Sequence, residues 1–266
     1  MRKCESSKQL SNNNTKRSDS NIERELKTYE NGGMTLMKWG KGRLLFRHGP
    51  LGLGNTCGHG HADALSVLFC WDEVPVLIDI GSGQYNVDQA IRNFFRSTIA
   101  HNTVEIDGKN QARMLGPFMW EKSYETKLEE AKESPILYAK ASHNGYMDDL
   151  SITHTREVEW LAPNQLEIRD SFPGSDEQPI RGAFHLGDCR NVTQEKNSVE
   201  ADFGDFIFLL SLPPEFTVKV YYGSKYPFLG WRSTIYGKWK PIHSILFSSN
   251  LQREYSYKIN FIIAEK

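Results

Sequence analysis

No stretch of this 266-residue chain approaches the roughly 18 consecutive apolar residues that a membrane-spanning helix needs. No membrane span is expected. Met1 to Ser20 holds no apolar core of the kind an export signal requires. Cysteine is scarce and scattered: Cys4, Cys57, Cys70 and Cys189 form no CxxC spacing, which argues against a zinc knuckle or a thioredoxin-like motif and for buried free thiols. An excess of charge of one sign is also missing. The 32 Lys and Arg nearly balance the 33 Asp and Glu, so no global field favours nucleic acid or an anionic membrane, and a polyanionic ligand must be held by a local patch.

What the chain does contain is short apolar runs. Residues 1 to 28 are rich in Ser, Asn, Lys and Arg and cannot bury enough apolar surface to offset the entropy of ordering, so they read as a flexible polar leader. From Tyr29 to Lys266 the texture changes to MTLMKW, RLLFRH, ALSVLFCW, VPVLIDI, NTVEIDG and DFIFLLSL, separated by Gly, Asn, Asp and Pro. Further strands are expected at 152–161, 165–171, 180–186, 217–222, 244–248 and 255–263. Many short strands at close intervals predict one all-β domain, a sandwich or barrel. Asp107-Gly108 marks a tight turn after the strand Thr103 to Ile106. The one helical pattern is Val87 to Ala100, with apolar residues at i, i+3, i+4, i+7 and i+8 and Asn86 as a candidate cap.

The chemistry concentrates in GHGHADALS. If that segment is a strand, His59, His61 and Asp63 share one face at about 7 Å intervals, and same-face imidazoles at that spacing can converge on one ion. Asp79 ends the run VPVLID, and His101 stands where the helical segment meets the next strand. A carboxylate with imidazoles is a donor set that zinc accepts, leaving a position for water or substrate. Spacing alone leaves alternatives open: an isolated His is more often structural, Asp79 can simply accept backbone hydrogen bonds in its Asp-Ile-Gly turn, and Asp63 can orient an imidazole. A cupin-like metal site, which also carries HxH, is disfavoured because Leu65, Ser66 and Val67 stand where a glutamate is needed. His48, His143, His154 and His243 have no such neighbours and read as structural.

From Gly49 to Gln111, the blocks GPLGLGNTCGHGHADALS, LIDIGSGQY and RNFFRSTIAHNTVEIDGKNQ resemble, in order and wording, the signature blocks of the heparinase II/III-like polysaccharide lyases, with weaker likeness in FHLGD and GWRSTIYGKWKP. The resemblance implies the antiparallel β-sandwich that forms the C-terminal part of those proteins, with one short helical insertion. By motif position it implies His61, Asp79 and His101 as ligands of a mainly structural zinc, and His59 as the catalytic histidine. Arg92 and Arg96 are placed to meet a substrate carboxylate or sulfate; the reading as solvated helix faces stands level with it.

The resemblance further implies an acidic, uronate-containing polysaccharide or oligosaccharide as substrate, such as a glycosaminoglycan or alginate, cleaved by β-elimination. It implies an extracytoplasmic setting, although the chain shows no signal peptide. The family's N-terminal (α/α) toroid, which carries the asparagine or histidine and the tyrosine of the other wall, has no counterpart in residues 1–28. The expectation is an incomplete active site, and a toroid-domain partner or a non-catalytic carbohydrate-binding or assembly role as the alternative.

Overall fold

In the computed structural model, which describes residues 23–84, 88–174, 177–250 and 256–266, every strand pairing is antiparallel. The expected runs fold as strands because their apolar residues alternate. Leu44 and Phe46, then Val67, Phe69 and Trp71, are buried while their neighbours along the strand are less so, the period-2 pattern of a half-buried sheet. Arg24–Tyr29, Met34–Trp39, Gly42–Arg47, Val67–Trp71 and Val74–Leu77 form one five-stranded sheet in chain order. The leader expected to run to residue 28 therefore yields to a strand at Arg24, which pairs with Trp39 at its start and, through Tyr29, with Met34 at its end.

An eight-stranded sheet runs from Asn191–Glu195 at one edge to Thr126–Lys132 at the other, with Gln165–Ser171, Ile152–Ala162 and Ser256–Glu265 central. A four-stranded sheet orders Thr217–Tyr222, His243–Asn250, Pro179–His185 and Val104–Ile106. The five- and four-stranded sheets meet edge to edge. Leu77 bridges Leu186, the Ile78 amide donates to the His185 carbonyl at 2.9 Å, and the Gly187 amide donates to that of Val76 at 3.0 Å. Together they form the layer opposite the eight-stranded sheet. Aromatic contacts close the core from both halves of that layer: Trp160 meets Trp39 and Phe69 at 6.4 and 6.0 Å, and Phe261 meets Phe184 at 5.3 Å. The antiparallel β-sandwich is thus present.

Two local expectations need amendment. The helical segment is a short helix, Gln89–Phe95, followed by a 3₁₀ turn at Thr98–Ala100. Its cap is Asp88, whose carboxylate accepts from the Ala90 amide at 2.7 Å; Asn86 lies outside the described residues. The Asp107-Gly108 turn is as expected, with φ of 53° and 66°, the left-handed pair of a tight hairpin.

Candidate functional site

The site lies at the seam where the two smaller sheets meet, because all three segments that carry its residues end there. GHGHADALS is a loop and not a strand. Cys57, His59 and Leu65 have left-handed φ of 51°, 56° and 60°, which breaks the extended backbone on which same-face spacing depends. Proximity arises instead from the tertiary fold. His61 and His101 stand with ring centroids 5.1 Å apart, and His101 Nδ1 lies 2.8 Å from Asp79 Oδ2. The other Asp79 oxygen accepts from the Gly81 amide at 2.7 Å. The turn-acceptor reading of Asp79 is met by this bond, while its second oxygen faces His101.

Electrostatics set the protonation state of each of these groups. Burial, helped by the charge of His101, lowers His61 to about 4 and keeps it neutral. Burial opposes ionisation of Asp79, but His101 outweighs it and holds the carboxyl well below the usual range. Burial likewise lowers His101, and the charge and hydrogen bond of Asp79 more than reverse this, so its pKa is raised. An ionised carboxylate only accepts, so His101 Nδ1–H donates to it. His101 Nε2 is then left buried with no hydrogen-bond partner, an arrangement that orients an imidazole for a ligand. Among the described residues no three His, Cys, Asp or Glu side chains are already grouped to hold a metal ion. The donor chemistry nonetheless fits zinc: one neutral imidazole, one imidazole with an unspent nitrogen, and one ionised carboxylate with about four lone-pair sites.

His59 is exposed, with its amide donating to the Phe118 carbonyl at 3.2 Å and its ring 5.2 Å from that of Phe118. Asp63 does not orient an imidazole; it is held by Arg47 Nε at 2.7 Å. Arg96 is buried rather than solvated. Its two terminal nitrogens donate to the carbonyls of Gly116 and Pro117, and its guanidinium stacks 4.8 Å from the Trp120 ring centroid. It braces the 113–121 loop beside His59. Arg92, one turn earlier in the helix, is half-buried.

Residues that sequence reasoning passed over hold the seam together. Asn102 Nδ2 donates to the carbonyls of Val67 and Ile78, and its Oδ1 accepts from the His185 amide. Three segments are thereby pinned by one buried amide. Gln111 brackets Ala64, accepting from its amide and donating to its carbonyl. His185 Nε2–H donates to the Ile99 carbonyl at 3.1 Å, while Nδ1 accepts from the Ser244 hydroxyl at 2.7 Å. Arg156, fully buried, donates to the carbonyls of Leu65 and Asn102 from beneath. The only sequence hint was adjacency: Asn102 follows His101, and Gln111 ends the third motif block.

The sequence profile described as Heparinase II/III-like, C-terminal, matches residues 21–259. No curated protein sequence matches the chain. Among solved structures, the heparinase III BT4657 gene product superposes with a TM-score of 0.72 at 19% identity, covering 91% of this chain and 36% of that one. Heparan sulfate lyase HepC from Pedobacter heparinus gives a TM-score of 0.72 at 15% identity, with the same 91% and 36% coverage. At these identities the likeness shows the fold. The chain spans about a third of the length of these two structures.

Proposed function

The chain belongs to the heparinase II/III-like family, in the part that forms its C-terminal domain, and on that footing we propose that it serves a polysaccharide lyase acting on an acidic, uronate-containing polymer by β-elimination. The observation that carries this reading is the convergence of three separated motif blocks at one seam, with exposed His59 two residues from His61. His61, Asp79 and His101 would hold a zinc ion. Bound there, the ion would tie three chain segments together and supply a fixed positive charge.

In β-elimination a base removes the C5 proton, the C5–H electron pair becomes the C4–C5 double bond, and the C4–O bond breaks as the leaving glycosidic oxygen takes a proton. His59 suits the proton-handling part, since its ring is exposed and an imidazole can both accept and donate a proton. Its left-handed backbone is the kind of local strain that tends to sit at functional positions. Neutralisation of the substrate carboxylate and protonation of the leaving group are assigned to a toroid domain. Arg92 is the cation of this chain proposed to meet substrate. Arg96 supports the wall through Gly116 and Pro117.

The test is the ultraviolet absorbance of the unsaturated product. The 266-residue chain alone should give none on heparan sulfate or alginate, and addition of a toroid domain should produce it. In that system His59→Ala should abolish the signal and leave zinc bound. Strong activity from the chain alone would refute the division of labour, and loss of zinc in His59→Ala would show the two histidines exchanged. The second reading, a non-catalytic carbohydrate-binding module, draws on the exposed tyrosines at Tyr222, Tyr226 and Tyr236.

A further inference from the structure

Between Phe216 and Asn250 the chain carries Lys219, Lys225, Arg232, Lys238 and Lys240 and not one Asp or Glu, although the whole chain is nearly neutral. Most of this stretch builds a small lobe of two ribbons, Ser224–Lys225 with Phe228–Leu229 and Trp231–Ile235 with Lys238–Pro241. The lobe is firmly based. Phe228 stacks on Trp231 at 5.9 Å and meets Phe94 edge-on at 4.9 Å, while Trp239 lies 6.1 Å from Phe95. The Ser233 amide donates to the Ile80 carbonyl at 2.7 Å, and the Gly237 amide to that of Gly83 at 3.1 Å. At Gly81, φ is 81° and a Cβ would meet the Ser233 carbonyl oxygen at 2.2 Å. The lobe is thus seated on the loop that begins with Asp79.

Its tip is the opposite in character. Tyr226 is 94% exposed, and Tyr222, Ile235 and Tyr236 are also exposed. Four of the eleven exposed large apolar residues among the described ones fall within these twenty residues, a concentration that marks a contact surface rather than chance exposure. The cations are equally uncompensated. Arg232 stands directly across the ribbon from Lys240, a like-charge pairing that costs stability in a sheet. Asp188 neutralises Lys240, but among the described residues no carboxylate pairs with Lys225, Arg232 or Lys238.

We propose that this lobe, residues 222–241, is a second contact surface for an anionic polysaccharide, gripping its carboxylates or sulfates with Lys225, Arg232 and Lys238 and its sugar faces with Tyr226 and Tyr236. The inference rests on the acidic-polysaccharide reading of the seam and deepens it. The seam and the lobe share the segment 79–83: Asp79 meets His101, and the carbonyls of Ile80 and Gly83 accept from the Ser233 and Gly237 amides. A phenol supplies a flat apolar face with a polar edge, suited to a ring that is apolar on its faces and wet at its rim. Unpaired cations supply the local field that overall composition lacks.

The test is titration of the full 266-residue chain with heparan sulfate, alginate, neutral dextran and single-stranded DNA of matched charge, at low and high salt. The triple variant Lys225→Gln, Tyr226→Ala, Lys238→Gln changes only exposed side chains, and its melting curve should match that of the parent. Its affinity for at least one acidic polymer should fall roughly tenfold, equivalent to about 1.4 kcal/mol, with a weaker salt dependence, whereas Lys127→Gln, an exposed lysine on the edge strand Thr126–Lys132 of the eight-stranded sheet, should bind within about twofold of the parent. Unchanged affinity in the triple variant would sink the lobe while leaving the seam's reading intact. Failure of the parent to bind either polymer, or equal retention of DNA, would also sink it. The lyase reading is judged separately, by the ultraviolet signal of the toroid-supplemented system.

Discussion

Two histidine pairs in this protein have nearly the same geometry and opposite characters. His143 and His154 stand with ring centroids 5.2 Å apart beside Asp170; His61 and His101 stand 5.1 Å apart beside Asp79. In the first pair every ring nitrogen is spent. The Gly145 amide donates to His143 Nδ1, His143 Nε2–H donates to His154 Nδ1, and His154 Nε2–H donates to Asp170. Asp170 is itself saturated by the Arg156 guanidinium and the Tyr257 hydroxyl. In the second pair, among the described residues, no arginine occupies the carboxylate, His101 Nε2 is unspent, and the Asp79 side chain is 42% exposed. Spacing does not distinguish a metal or catalytic site from a structural knot. An unspent ring nitrogen beside a solvent-exposed carboxylate makes the second pair the candidate site.

The comparison breaks most severely at Asp170. Asp170→Ala removes the partner of a fully buried guanidinium and should cost about 3–5 kcal/mol, read from urea denaturation. Arg156 also holds the Leu65 and Asn102 carbonyls, so zinc content should fall with stability. Intact stability would show that the knot is dispensable.

At the seam the expected effect is somewhat smaller and depends on the ion. The purified chain should carry about one zinc, as a site with three protein ligands holds. Its removal should lower the melting temperature, with a loss of about 2.7 kcal/mol if free zinc stands a hundredfold above the dissociation constant. His61→Ala and His101→Ala should lose the ion and Asp79→Asn should hold it more weakly, as measured by elemental analysis. A metal-free chain with an unchanged melting curve would remove the distinction between the two pairs.

Acid should act on the knot as well. Burial lowers the pKa of both His143 and His154 in the fold, so the unfolded chain binds protons that the folded chain does not. Their contribution is complete above the unfolded value near 6.5 and falls as pH drops through it, by about 1.4 kcal/mol for each unit of depression. Asp170, depressed chiefly by Arg156 against the cost of burial, adds a further loss below about 4. His143→Gln should flatten the slope of stability between pH 7 and 5; an unaltered slope would place the titration elsewhere.

The smallest effect belongs to His59. Its ring is exposed and its backbone is left-handed, so His59→Gly should shift stability by less than about 1 kcal/mol while eliminating the proposed elimination chemistry. A large destabilisation would recast His59 as structural.

Strand positions were legible because alternation along a strand is a local property. Met34–Trp39, Gln165–Ser171 and Thr217–Tyr222 fall where their apolar patterns put them. The Asp107-Gly108 turn was legible for the same reason. The strands at Thr126–Lys132 and Asn191–Glu195 were not, since mostly exposed edge strands carry little apolar signal.

Local signals in the chain establish an all-β domain, the residues able to ligate or transfer protons, and the family resemblance that implies the antiparallel sandwich, because residue chemistry and short-range periodicity are written locally. Tertiary structure alone decided that GHGHADALS is a loop, that Arg96 braces a wall, and that Asp63 serves Arg47. It also decided that the pair at His143 and His154 is closed while the pair at His61 and His101 is open. Those outcomes depend on partners 16 residues away for Asp63 and up to 91 away for Arg156. Only the packed sheets determine whether a nitrogen or oxygen ends up spent or free.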